Sequence, residues 1–171
     1  AAFAASNTNV VLRGNSIFIV SGGKKARCFV SKDKGMSWQV YETPIVQGKT
    51  MTGIFTADFY DEKIGFIAGG DYEKQEANVD NKAITRDGGK TWKLVGQNTG
   101  FGYASCVQFV PKTDGKSLVC VGGTGVHFSN DSGATWKKLA EDNDLYTLRF
   151  RNDSVAYAAG RNRVVELKFK E

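Results

Sequence analysis

The chain has 171 residues, 41% of them hydrophobic and 24% charged, ordinary proportions for one globular domain with a real core. Twenty-three basic against eighteen acidic residues leave a net charge of +5, spread along the chain rather than gathered in a stripe or helix. No nucleic-acid partner is therefore expected, and no stretch nears the roughly 20 apolar residues of a membrane span. Twenty glycines against two prolines suit many tight turns between short strands.

Ala1 to Ser6 lacks the basic start and long apolar run of a signal peptide and reads as a trimmed or processed end. From there an alternating segment is followed each time by an apolar run that ends in glycine. The alternating segments are Asn9–Leu12, Gly53–Phe59, Ala104–Val110 and Tyr146–Phe150. The apolar runs are Ile17–Gly23, Ile64–Gly70, Leu118–Gly123 and, less regularly, Val155–Gly160. These are strand lengths rich in β-branched and aromatic residues, with no sustained helical period.

After each of the first three apolar runs comes an eight-residue box. The boxes are Ser31–Trp38, Thr85–Trp92 and Ser129–Trp136, and they hold every tryptophan in the chain. Each has an aspartate (Asp33, Asp87, Asp131), a glycine two residues later (Gly35, Gly89, Gly133) and a closing tryptophan (Trp38, Trp92, Trp136). The glycine suits a turn that needs positive φ, and the aspartate can accept bonds from N–H groups across the turn. The tryptophan can then cover the hairpin. Three equivalent boxes on separate units cannot converge on one substrate, so their expected role is structural.

One unit reads as four strands with the box between the third and fourth. A repeat of about 44 to 54 residues, read between box aspartates, matches the scale of a propeller blade. The expected architecture is an all-β propeller of four-stranded antiparallel blades, approximately 6–44, 50–98, 101–142 and an incomplete 144–171. About three and a half blades make the chain the expected C-terminal half of a six- to eight-bladed ring. A four-bladed ring with Ala1–Ser6 supplying the missing strand is the alternative. An open array leaves bare edges and faces, so the remaining half or a second copy is an expected partner.

The boxes resemble the Asp-box, or BNR, repeats of sialidase-like and sortilin-like β-propellers and of photosystem II assembly factors. Phe3–Asn9, Gly69–Tyr72 and Ala158–Arg163 are similar to bacterial BNR-repeat proteins loosely labelled "oxidoreductase". No GxGxxG after a strand, CxxC or cofactor-lysine signature stands behind that label here, and no cofactor is expected. Such proteins are often exported, which favours a periplasmic or secreted location.

In a propeller the second-to-third-strand loops share one end with the connections between blades, opposite the box turns. That end would carry Lys24, Lys25, Arg27, Tyr103, Arg161, Arg163 and the insertion Asp71–Lys82, the clearest departure from the repeat. Its expected ligand is a protein or a carbohydrate, bound without catalysis. A sialidase-like or other glycosidase site is the alternative, with Asp71 and Tyr72 as candidate catalytic residues and Arg27, Arg161 and Arg163 as an arginine cluster. The Arg-Ile-Pro element of sialidases is absent. His127, the one histidine, excludes a histidine triad or a multi-histidine metal centre within this chain, and no metal is expected. A hydrogen-bonded structural imidazole is its expected state. Cys28, Cys106 and Cys120 lie in apolar runs and read as buried thiols. Cys106 and Cys120 fall on neighbouring strands, within reach of one disulfide.

Overall fold

A computed structural model describes residues 3 and 6–169. They form fifteen strands and no helix. The first sheet holds β1 (Val10–Arg13), β2 (Ser16–Val20), β3 (Arg27–Ser31) and β4 (Gln39–Glu42). The second holds β5 (Thr52–Phe59), β6 (Gly65–Asp71), β7 (Lys82–Thr85) and the two-residue β8 (Lys93–Leu94). The third holds β9 (Ala104–Phe109), β10 (Leu118–Gly122), β11 (Gly125–Ser129) and β12 (Lys137–Ala140). The last has three strands, β13 (Leu145–Phe150), β14 (Val155–Gly160) and β15 (Arg163–Lys168). Every pairing joins sequence neighbours and is antiparallel, so each sheet is an up-and-down blade.

The box sets the register. Its first hydroxyl residue pairs with Ile17, Gly65 or Leu118 in blades one, two and three. Counting from that pair, alternate residues point to opposite faces of the blade. The leading faces then carry the rows Val10–Ile19–Phe29–Val40, Ala57–Ile67–Ala83–Leu94, Val107–Cys120–His127–Lys138 and Leu148–Ala158–Val165. The trailing faces carry Val11–Phe18–Val30, Asp58–Phe66–Ile84, Gln108–Val119–Phe128 and Arg149–Tyr157–Glu166.

Each core is a trailing face packed on the next blade's leading face. Val11, Phe18 and Val30 meet Ala57, Ile67 and Ala83, with Phe18 stacked on Phe59 at 3.5 Å between ring centres. Phe66 and Ile84 meet Val107 and Cys120. Val119 and Phe128 meet Leu148, Ala158 and Val165. The inner strands are also tied by polar bonds. Thr56 Oγ1 accepts from Thr8 Oγ1 at 2.8 Å and from Val107 N at 3.1 Å, and Asp58 Oδ2 accepts from Phe109 N at 2.8 Å.

Glycine recurs for a steric reason at one blade position. A Cβ on Gly69, Gly122 or Gly160 would lie 1.9, 2.2 or 2.0 Å from the carbonyl oxygen of Gly53, Tyr103 or Asp144 respectively. In those three blades a bulge in the inner strand brings the two backbones together. The box register places Ser21 at this position in blade one, so its glycine pair, Gly22 and Gly23, falls one residue later than the sequence repeat implies.

The three cysteines are free and buried. Cys106 pairs with Val121 and Cys120 with Val107 on adjacent strands, but they stand on opposite faces of blade three. Cys106 enters the core with blade four and Cys120 the core with blade two, so the buried free thiols are as expected and strand alternation rules out a disulfide between this pair. Ser6 and Phe3 lie against β5: the Ser6 hydroxyl bonds the Phe55 carbonyl and Phe3 stacks on Phe55 at 3.7 Å. Neither adds a fourth strand to the last blade. The remaining residues of Ala1–Ser6 lie outside the described set.

Candidate functional site

The three boxes repeat one bonding scheme. Asp87 Oδ1 accepts from Thr91 N at 2.9 Å and Thr85 Oγ1 at 2.9 Å, while its Oδ2 accepts from Thr91 Oγ1 at 2.6 Å. Asp131 does the same with Thr135 and Ser129, and Asp33 with Ser37 and Ser31. Gly35, Gly89 and Gly133 take φ of 91°, 84° and 85°, the left-handed region that suits glycine. Each tryptophan Nε1 donates to its box glycine carbonyl at 2.9–3.0 Å. The Ser37 hydroxyl first, then Ser37 N, hold the Asp33 carboxyl down at about 2. At Asp87 and Asp131 burial pushes upward, but the same set of donors outweighs it and both are lowered. Every lone pair in use thus serves the turn itself.

The boxes lie between the third and fourth strands, so the β2–β3, β6–β7, β10–β11 and β14–β15 loops lie at the other end of the blades. The candidate residues there fall into three local groups. Lys25 Nζ and Arg27 Nε approach Glu42 at 3.9 and 3.6 Å, beside the exposed Lys24. Arg27 is not a loop residue but stands on β3. Arg163 bridges Asp142 and Asp144, next to the exposed Arg161. Asp71, Tyr72 and Tyr103 meet at the end of β6, where the Tyr72 ring stands edge-on to Tyr103 at 5.2 Å. Tyr103 stands edge-on to Phe55 at 4.7 Å, and burial pushes its phenol up to about 12. Tyr72 is exposed at the outer end of this aromatic row.

Two of the arginines expected to act together are engaged on different blades, Arg27 with Glu42 and Arg163 with Asp142 and Asp144. Asp71 Oδ1 accepts from Glu73 N at 2.9 Å and so caps the turn that begins the insertion. The insertion is itself fastened to the neighbouring blade and to its own. Gln75 O accepts from Tyr103 N at 2.7 Å, and Asp80 exchanges two bonds with Gln97. Among the described residues no cluster of three or more His, Cys, Asp or Glu could hold a metal. No described helix is long and apolar enough to cross a membrane.

Two buried groups escaped the sequence reading. Lys82 is fully buried on β7; its Nζ donates to Asn81 Oδ1 at 2.8 Å and sits 4.7 Å from the centre of the Phe101 ring. Burial pulls it down to about 8. Its alternation with Ile84 was the available signal, since both stand on the trailing face of blade two. Asp58 is buried on β5 and receives Arg13 Nη2 at 3.0 Å and two backbone N–H groups. Burial nevertheless pushes its carboxyl up to about 6. His127 is buried edge-on to Phe101 at 6.0 Å, but its Nδ1 has no hydrogen-bond partner. The expected bonded imidazole is thus unpartnered at that nitrogen.

The comparisons follow the blades. The BNR/Asp-box repeat family matches residues 83–94, the second box with its flanking strands. The chain carries a BNR/Asp-box repeat and has a β-propeller fold, with three four-stranded blades and a three-stranded fourth among the described residues. It is similar in fold to the GH74 enzyme of Niastella koreensis at 17% identity and a TM-score of 0.66, covering 91% of this chain and 27% of that one. The GH74 xyloglucanase from Xanthomonas campestris is similar at 13% identity and a TM-score of 0.59, over 86% of this chain and 25% of that one. The computationally designed Ika4 protein is similar at 9% identity and a TM-score of 0.62, over 96% of this chain and 92% of that one. This chain thus spans about a quarter of the length of the two GH74 enzymes. No curated protein matches it in sequence.

Proposed function

We propose that the chain is a non-catalytic binding and assembly scaffold whose loop end takes a protein or carbohydrate ligand. The observation that carries this reading is the aromatic row Phe3–Phe55–Tyr103–Tyr72, which ends in an exposed ring beside a fastened insertion. A tyrosine held edge-on by its neighbour loses little further freedom when a sugar ring or peptide side chain stacks on it. The candidate carboxylates of this end are engaged locally, Asp71 by its turn and Asp142 and Asp144 by Arg163.

The test uses soluble xyloglucan and a peptide array as probes. Retention of one of them should fall about tenfold in Tyr72→Ala, roughly 1.4 kcal/mol, and weaken in Lys24→Glu. Failure to retain either probe, or equal retention by Tyr72→Ala, would overturn the assignment. The blade architecture shared with GH74 enzymes favours a glycoside hydrolase as the second reading. It predicts reducing-sugar release from xyloglucan or turnover of chromogenic glycosides, abolished by Asp71→Asn or Tyr72→Phe.

A further inference from the structure

An aspartate followed by glycine can close a ring on its own backbone, because glycine has no Cβ to keep its nitrogen from the side-chain carboxyl. The chain holds two such pairs, Asp87–Gly88 and Asp114–Gly115, and no Asn-Gly pair. The fold treats the two oppositely.

Asp87–Gly88 belongs to the second box, and both of its reacting groups are engaged. The carboxylate accepts from Thr91 N, Thr85 Oγ1, Lys90 N and Thr91 Oγ1. The Gly88 N–H donates to Lys63 O at 2.9 Å. Burial pushes the Asp87 carboxyl up, but the Thr91 hydroxyl and N–H outweigh it and hold the carboxyl below its usual value. That favours the ionised form, which does not lose water.

Asp114–Gly115 lies in the turn between β9 and β10. Lys116 N donates to Thr113 O at 3.0 Å, so Asp114 and Gly115 are the two central residues, with φ of 53° and 70°. Positive φ at both is the hairpin geometry that suits Asp-Gly. The exposed Asp114 carboxylate accepts no hydrogen bond and forms no ion pair among the described residues; only its own N–H is held, by the Tyr60 hydroxyl at 3.1 Å. The Gly115 N–H, the attacking group, donates no hydrogen bond among the described residues.

We propose that Asp114–Gly115 is a self-modification site that passes through a succinimide to isoaspartate, while the box protects Asp87–Gly88. Gly115 N bonds to Cγ of the protonated Asp114 carboxyl, and its proton leaves with the carboxyl hydroxyl as water. Water then returns to the ring. Opening at the side-chain carbonyl restores aspartate, and opening at the main-chain carbonyl leaves the backbone running through Cγ with a free α-carboxylate. Atoms balance overall, and nothing is oxidised or reduced. The new α-carboxylate is the substrate class of isoaspartate-directed carboxyl methyltransferases.

The modified turn is one backbone carbon longer, at a place where the fold has little slack. A Cβ on Gly115 would lie 3.0 Å from Ile64 Cγ2 of blade two. The third box hangs on the same turn: Ser132 N donates to Lys116 O at 2.8 Å and Ser132 Oγ to Gly115 O at 3.4 Å. Lengthening the turn therefore loosens that box. None of this depends on the ligand reading.

The test is to incubate the folded chain in heavy-oxygen water at neutral pH and map its peptides. Each ring opening builds a heavy oxygen into the residue. Freeing Asp87 and Gly88 breaks bonds that Asp114 and Gly115 do not make, so Asp114 should take up label at least about tenfold faster. In urea the two sites should label at similar rates. The labelled Asp114 peptide should accept methyl groups from an isoaspartate carboxyl methyltransferase. Asp114→Glu should abolish the label there, since its ring would be larger. Asp114→Asn should raise it, since ammonia leaves more readily than water. Equal labelling of both sites in the folded chain would overturn the proposal. So would an unlabelled Asp114 under conditions that label the free peptide Pro111–Ser117. The isoaspartyl fraction should unfold at lower urea than unmodified chain, and an equal midpoint would overturn the link to the third box.

Discussion

Asp58 and Lys82 are both buried, and their charges give stability opposite dependences on pH. Burial raises the Asp58 carboxyl from the usual 3.8 to about 6 despite Arg13 and two N–H donors. The folded chain therefore holds that proton more tightly than the unfolded chain. Its contribution is fully present below about 4 and is lost as the pH rises through about 6, a change on the order of 2–3 kcal/mol. Burial lowers Lys82 from 10.5 to about 8, so the folded chain sheds that proton first and gains stability as the pH climbs from about 8 towards 10.5. Urea midpoints against pH should show both slopes. Wild type should lose ground to Asp58→Asn between pH 4 and 7 and gain ground on Lys82→Met between pH 8 and 10. Parallel curves for wild type and variant would remove the corresponding assignment.

At the scale of the element, the box is a turn that largely builds itself. The bonds of its aspartate and first hydroxyl residue reach no further than four residues, as from Ser129 to Gly133 or from Asp131 to Thr135. The residue after the aspartate donates its N–H to an earlier turn of the same blade, Lys34 to Asn15, Gly88 to Lys63 and Ser132 to Lys116. What differs between copies is the neighbour. Gly133 and Trp136 lie against blade two, while the blade-one box has no preceding blade within the chain. Asp131→Ala should therefore cost about 2 kcal/mol in unfolding free energy, from several charge-assisted bonds lost in a packed turn. Asp33→Ala should cost clearly less, because its turn is open to water. Equal losses by denaturant unfolding would mean that the blade contact adds nothing to the box. The same locality explains why the turns and most strand cores were legible in advance. The bulges were not, because pairing between strands decides them. Ser21 therefore stands where the glycine repeat placed Gly22.

For the whole molecule, three cores of one construction carry the fold, each a trailing face packed on the next blade's leading face. Phe66 is fully buried in the second core and stands 5.9 Å from the Trp136 ring of the following box. Phe66→Ala should cost about 3–5 kcal/mol in unfolding free energy. A negligible loss in urea unfolding would remove that ring from the core.

The sequence by itself determined the all-β repeat, the three boxes and the short last blade, because each rests on spacing, alternation or hydrogen bonds between residues close in the chain. The tertiary structure alone decided the rest. It set Cys106 and Cys120 on opposite faces, buried Lys82 and Asp58, and engaged Arg27 and Arg163 with carboxylates on different blades. These features depend on which strand faces lie against a neighbouring blade, and only packing between distant residues settles that.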